Sequence, residues 1–137
     1  MADLDLRPTA DGLAPLFSAR YGQTYHSRHG AGLEARHVFL DGSGAAARLD
    51  AGQPTHVLEV GFGTGLNFLL TAQHALAAGT PLTYTSLERD VLPATAFEAL
   101  GYREHLGPIA GALITWRATC PTSCGWAASG HRSARSR

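Results

Sequence analysis

Three glycines at alternate positions, Gly61, Gly63 and Gly65, follow one short apolar run and precede another, and they constrain everything around them. On their N-terminal side His56-Val57-Leu58-Glu59-Val60 is mostly apolar and partly β-branched, the pattern of a buried parallel strand. On their C-terminal side Leu66, Phe68, Leu69, Ala72, Ala75 and Leu76 recur at helical spacing, and Gly79 with Pro81 supplies a helix stop. A strand that turns sharply into a helix needs glycine where φ is positive and where a ligand approaches the backbone closely. Such a ligand meets backbone N–H groups and the positive end of the helix dipole.

The theme then repeats. Leu82-Thr83-Tyr84-Thr85-Ser86-Leu87 is a second run of β-formers, ending at Glu88-Arg89-Asp90. Helices are expected from about Pro93 to Leu100 and from Tyr102 to Ile114. Strand, glycine turn, helix, strand, acid, helix is a βαβα unit, so the two strands should lie parallel and be joined by a right-handed crossover.

Spacing at the turn separates nucleotide types. The dinucleotide fingerprint G-x-G-x-x-G requires glycine at position 66, where this chain has Leu66. The P-loop requires a lysine, and all eleven basic residues here are arginine. What remains, E-x-G-x-G-x-G, resembles the pattern of class I S-adenosylmethionine-dependent methyltransferases. That resemblance implies an α/β, Rossmann-like fold, with only its N-terminal βαβα part present. It also implies that the turn wraps the methionine and ribose parts of the cofactor. Glu88 stands where such folds place a carboxylate to accept both ribose hydroxyls. Glu59, Gly61, Phe62, Gly63, Thr64, Gly65, Asn67 and Glu88 are therefore the expected cofactor-binding residues.

Composition bears on how the rest is organised. At 137 residues with 45% hydrophobic and 16% charged residues, the chain can bury one core. The net charge of +0 hides an asymmetry, because residues 117–137 carry four arginines and no acid. That segment also contains no Leu, Ile, Val or Phe, and it cannot offset its ordering entropy by apolar burial. Residues 117–137 are thus expected to be a disordered basic tail. Residues 51–116 are expected to be the N-terminal half of a Rossmann-like domain, and residues 1–50 a loop-rich, glycine-punctuated extension. Within the extension, a helical turn is expected around Pro15–Arg20, and Gly32–Leu40 begins helically. The acidic N-terminus lacks the basic and apolar regions of a signal peptide, and no run is long enough for a membrane span, so a cytoplasmic location is expected.

A closer resemblance comes with the flanks. Tyr25-His26-Ser27, Gly32-Leu33-Glu34-Ala35-Arg36-His37-Val38-Phe39-Leu40-Asp41-Gly42 and the string Gly61-Phe62-Gly63-Thr64-Gly65-Leu66-Asn67-Phe68 resemble the methyltransferase domain of MnmC-type tRNA-modifying proteins. Ser86-Leu87-Glu88-Arg89-Asp90 with Leu92-Pro93 fits the same family, and the similarity runs from about Phe17 to Trp116. It implies methyl transfer from S-adenosylmethionine to the amine of 5-aminomethyl-2-thiouridine at the tRNA wobble position. Family members are often fused to an FAD-dependent oxidoreductase domain, for which nothing here provides. The family continues with a third strand, a Gly-Asp-Ala-like segment and an Asp-x-Phe-x-Pro stretch beside the target amine, none of which follows Trp116. Residues 117–137 match no part of the family and have the composition of a frame-shifted GC-rich coding region, so a truncated product is expected. Weak or absent binding of the cofactor and no methyl transfer would follow, and no catalytic residue is identified.

Two other readings compete. One is an NAD(P)-dependent oxidoreductase domain, opposed by Leu66; the other is an inactive nucleoside-binding fragment. His26 and His29, spaced H-x-x-H and followed by His37, lack a carboxylate or cysteine cluster to complete a metal site, so no metal is expected. Cys120 and Cys124, with His131, lack the paired C-x-x-C units of a zinc ribbon and read as free thiols.

Overall fold

The computed structural model describes residues 30–119 with their side chains and the backbone of Leu4–Leu6, Leu16–Ser18 and Gln23–Thr24. Tyr25-His26-Ser27, His29, both cysteines and the remainder of the expected tail from residue 120 lie outside the described residues.

Three short strands, β1 (Leu4–Leu6), β2 (Leu16–Ser18) and β3 (Gln23–Thr24), form an antiparallel sheet in that order. Leu6 lies opposite Leu16, and Phe17 opposite Thr24. Residues 16–18 are therefore extended, against the expectation of a helical turn around Pro15–Arg20. A lone turn of helix fixes several dihedrals for one hydrogen bond, whereas a central strand gains partners on both sides.

From Ala31 onward, part of the stretch expected to be loop-rich is helical. A single α-turn, α1 (Ala31–Glu34), runs into a π-helical segment over Ala35–Asp41, and α2 (Ala45–Asp50) follows. The π register is closed by Gly42 N–H donating to His37 O at 3.1 Å.

Next comes the βαβα unit: β4 (Thr55–Val60), α3 (Leu66–Ala78), β5 (Leu82–Leu87), α4 (Ala94–Ala99), α5 (Tyr102–Leu106) and α6 (Pro108–Thr119). The two strands pair in parallel, from Thr55 opposite Leu82 to Val60 opposite Leu87. As the stop signal implies, α3 ends at Gly79, whose φ of 66° lets its N–H and that of Thr80 cap Leu76 O and Ala75 O. The helix expected from Tyr102 to Ile114 is broken in two at Gly107, which has φ 66° and ψ −150°. Proline at position 108 explains the break, because it disfavours the α conformation in the residue before it. The last helix also extends past the expected boundary at Trp116, so Arg117 to Thr119 are helical rather than part of a disordered tail.

The core lies between α3–α6 and one face of the β4–β5 sheet. Leu66, Leu69, Phe97, Leu100, Leu113 and Ile114 are its most completely buried side chains, with Tyr84 and Leu82 packed against it from the sheet. β4 was expected to be buried on both faces, but it alternates: Leu58 is 68% exposed and Val60 82%. Helices cover one face of the sheet only, and no described residue covers the other. On α3, Leu76 is 62% exposed instead of facing the core, and Leu70 and Thr71 are buried in its place. The α2 segment is fastened to this unit by the Thr80 hydroxyl donating to Leu49 O at 2.7 Å and by His74 Nε2 lying 2.7 Å from Asp50 Oδ1.

Among the described residues no helix is long and apolar enough to cross a membrane.

Candidate functional site

The glycine turn begins where β4 ends. Gly61 N–H donates to Leu87 O at 2.8 Å, so the turn leaves the sheet only after both strands have finished. Gly61, Gly63 and Gly65 take φ values of 88°, 54° and 73°, the left-handed region that side chains with Cβ rarely occupy. Gly65 carries a second requirement. A Cβ there would lie 2.8 Å from the Phe62 ring and 3.3 Å from Leu113 Cδ2.

Phe62 and Thr64, both expected to bind cofactor, also make contacts that seat the turn. The Phe62 ring packs with Phe68 at 6.1 Å and with Phe97 at 6.3 Å. Thr64 is buried and hydrogen-bonds Tyr102, whose own burial raises its phenol pKa. An odd–even alternation thus separates glycines that free the backbone from side chains that anchor it.

Two carboxylates reach the turn in different ways. Glu88, just past β5, accepts from Gly63 N–H at Oε2 (3.0 Å) and from Asp90 N–H at Oε1 (2.9 Å). Glu59 faces inward from β4, where Asn67 Nδ2 donates to Oε1 (3.0 Å) and Ser86 Oγ donates to Oε2 (3.3 Å). Tyr84 hydrogen-bonds the same carboxylate. Burial raises the pKa of Glu59 above its ordinary 4.5, hydrogen bonds from Asn67, Tyr84 and Ser86 oppose that rise, and the nearby Glu88 charge adds to it. The Tyr84 phenol is raised too, first by burial and then by the Glu59 charge. Asn67 Oδ1 is buried without a hydrogen-bond partner among the described residues.

These groups surround one cavity of about 550 Å³. Glu59, Gly61, Gly63, Asn67 and Glu88 line it on the side of the turn, and Glu34, Phe39 and Ser43 line it from the helical segment before β4. All the expected residues except Gly65 are among its walls, though Phe62 and Thr64 have their other contacts in the core. The volume falls within the ~300–1,000 Å³ of small-molecule sites. Sequence reasoning did not identify Tyr84 and Ser86 as supports of Glu59, although the period of two along β5 puts Tyr84, Ser86 and Glu88 on one face. It also missed Glu34, Phe39 and Ser43, for which no local pattern gives a signal. Among the described residues there is no group of three or more His, Cys, Asp or Glu side chains suited to a metal ion.

No protein-family model matches the chain. Several curated relatives do, under the name tRNA 5-methylaminomethyl-2-thiouridine biosynthesis bifunctional protein MnmC. The protein from Nitrosospira multiformis is 34% identical over 125 residues, covering 85% of this chain and 20% of the relative. That from Marinobacter nauticus is 38% identical over 127 residues, covering 80% of this chain and 20% of the relative. A shorter match to the Thiobacillus denitrificans protein reaches 54% identity over 55 residues, 40% of this chain and 9% of the relative. The chain therefore spans a fifth or less of the length of these relatives. Among solved structures, MnmC2 from Aquifex aeolicus superposes with a TM-score of 0.69 at 24% identity, over 85% of this chain and 38% of that one. This likeness establishes a shared α/β fold with parallel strands, part of a Rossmann-like arrangement.

Proposed function

The chain belongs to the MnmC family of tRNA-modification proteins, and from that membership we propose that its glycine turn holds S-adenosylmethionine for methyl transfer to tRNA. The acceptor on this reading is the aminomethyl group of 5-aminomethyl-2-thiouridine at the wobble position, which places the work in the cytoplasm. The bound cofactor supplies the methyl group and, in its sulfonium, the leaving group.

One observation carries the reading: the Glu88 carboxylate lies against the amide of Gly63. A carboxylate has roughly four lone-pair sites. Gly63 and Asp90 take one each, which leaves acceptor capacity for two vicinal hydroxyls such as those of a ribose. The same contact opposes a dinucleotide, because the Gly63 amide that a pyrophosphate would require is already donated to an anion. Gly61, with nothing within 4 Å of a Cβ position, leaves open backbone beside the strand end. Glu59 ties β4, β5 and α3 together through Asn67 and Ser86 and so keeps the floor of the site in register. Chemistry at an amine that has lost its proton requires mainly in-line positioning. We assign no residue of this chain as an acid or base.

Titration calorimetry with S-adenosylmethionine tests the first half of the proposal, and transfer of a radiolabelled methyl group to hypomodified tRNA tests the second. Weak, saturable binding is expected, lost in Gly63→Val and weakened in Glu88→Gln. Binding indifferent to both substitutions would refute the site. Binding of NADH in preference to S-adenosylmethionine would restore the oxidoreductase alternative.

A further inference from the structure

We propose that Arg117 is a positioning residue for the glycine-turn site, holding the loop after β5 so that the Glu88 carboxylate stays aimed at Gly63. Two sets of hydrogen bonds, joined by the backbone between Asp90 and Val91, run from the last turn of α6 to the glycine turn. Arg117 Nε donates to Leu92 O at 2.8 Å, and its Nη2 lies 3.5 Å from Val91 O. Directly before these residues, Asp90 N–H donates to Glu88 Oε1, and Glu88 Oε2 accepts from Gly63 N–H.

The loop from Glu88 to Pro93 has no regular secondary structure, so its carbonyls have no ladder to satisfy them. Buried or half-buried carbonyls require partners, and a planar guanidinium fork serves two adjacent ones where an ammonium offers a single point. Leu92 is itself buried against the core, so the tether and the Leu92 side chain pin the same point of the loop from two directions. Glu88 has the glycine turn on one side and this pinned loop on the other. Without Arg117 the loop between Asp90 and Pro93 loses its bonds from the guanidinium to the Leu92 and Val91 carbonyls, and the Glu88 carboxylate loses that support for its approach to Gly63.

That Arg117 influences a cofactor rests on the reading of Glu88 as the ribose acceptor; that it fixes Glu88 does not. The decisive measurement is the hydrogen-exchange rate of the Gly63 amide, followed by NMR on the ¹⁵N-labelled chain with thermal midpoints recorded in parallel. Variants are Arg117→Ala, Arg117→Met, which keeps the apolar stem and removes the donors, Glu88→Gln, and Arg117→Met combined with Glu88→Gln. Exchange at Gly63 is expected to quicken about tenfold in each single variant, and the double variant should exchange no faster than Glu88→Gln alone. A lowered midpoint with Gly63 exchange at the wild-type rate would make Arg117 a helix-end clamp only and overturn the proposal. Should Arg117→Ala fail to fold, Arg117→Met is read by the same criterion. S-adenosylmethionine titration of these variants separates the two readings. Unchanged affinity in Glu88→Gln, with Gly63 freed by loss of Arg117, would sink the ribose assignment and leave the tether standing. Weakened affinity in Glu88→Gln, with Gly63 indifferent to Arg117, would do the reverse.

Discussion

Replacing Gly65 by alanine separates two costs that the glycine turn combines. At φ 73° an L-residue is in the left-handed region, which costs roughly 1–2 kcal/mol. The new Cβ would also lie 2.8 Å from Cε1 and Cζ of Phe62, closer than van der Waals contact allows. That ring cannot swing aside freely, because Phe68 and Phe97 pack on it and Leu113 Cδ2 is 3.3 Å from the same Cβ position. Overpacking of this kind costs about 1–3 kcal/mol. Gly65→Ala should therefore destabilise by about 2–5 kcal/mol, a fall in the thermal midpoint of roughly 8–20 °C at about 4 °C per kcal/mol for a domain of this size. Gly61→Ala provides the internal control. Its φ of 88° carries the conformational cost, yet nothing lies within 4 Å of its Cβ position, so the loss should stay near 1–2 kcal/mol. Phe62→Leu in the Gly65→Ala background should recover part of the difference, because the ring edge that clashes is gone. Urea unfolding of the four chains measures all of this. Equal midpoints for Gly61→Ala and Gly65→Ala would refute the packing argument and leave backbone strain alone.

Glu59 binds a proton more readily in the folded chain than in the unfolded one, because burial raises its pKa. Its contribution to stability is therefore present below about pH 4.5 and is lost as pH rises through the raised folded value, and Glu59→Gln should flatten the fall in urea midpoint as pH rises above about 4.5. Identical slopes for the two chains would contradict this. Leu113→Ala, at a fully buried position between α6 and the turn, should cost about 2–5 kcal/mol, whereas Val60→Thr on the open sheet face should stay within ~0.5 kcal/mol. Comparable losses at the two positions would mean that the open face is covered in solution. Tyr102→Phe removes the hydroxyl that Thr64 hydrogen-bonds and should cost about 1 kcal/mol by denaturant unfolding. No change there would show that the bond has no net effect on seating the turn.

Local signals made the βαβα unit readable. Glycine at 61, 63 and 65 left no other geometry for the join between β4 and α3, and the observed strands lie within a residue of the expected ones. Glu88 was singled out through the resemblance to class I methyltransferases, and its carboxylate does reach the turn at Gly63. The buried status of β4 was not legible, because whether Leu58 and Val60 are covered depends on what packs on the far face, and strand sequence records only the capacity for burial. Likewise, a short apolar piece such as Leu16-Phe17-Ser18 cannot be divided between helix and strand by periodicity alone.

The end of α6 shows where compositional reasoning fails. Beyond Ile114 the chain has no further Leu, Ile, Val or Phe, and by apolar burial alone the fold should stop near Trp116. Yet α6 continues to Thr119, and its last turn is held by polar groups: the Thr119 hydroxyl donates to Thr115 O at 3.0 Å, and Arg117 reaches across to Leu92 O. A helix already nucleated by a buried face extends at little cost, because each added residue brings its own backbone bond. The arginine that composition assigned to a tail therefore falls on the same face of the molecule as the loop behind Glu88. Its partners there are backbone carbonyls, which have no signature in sequence.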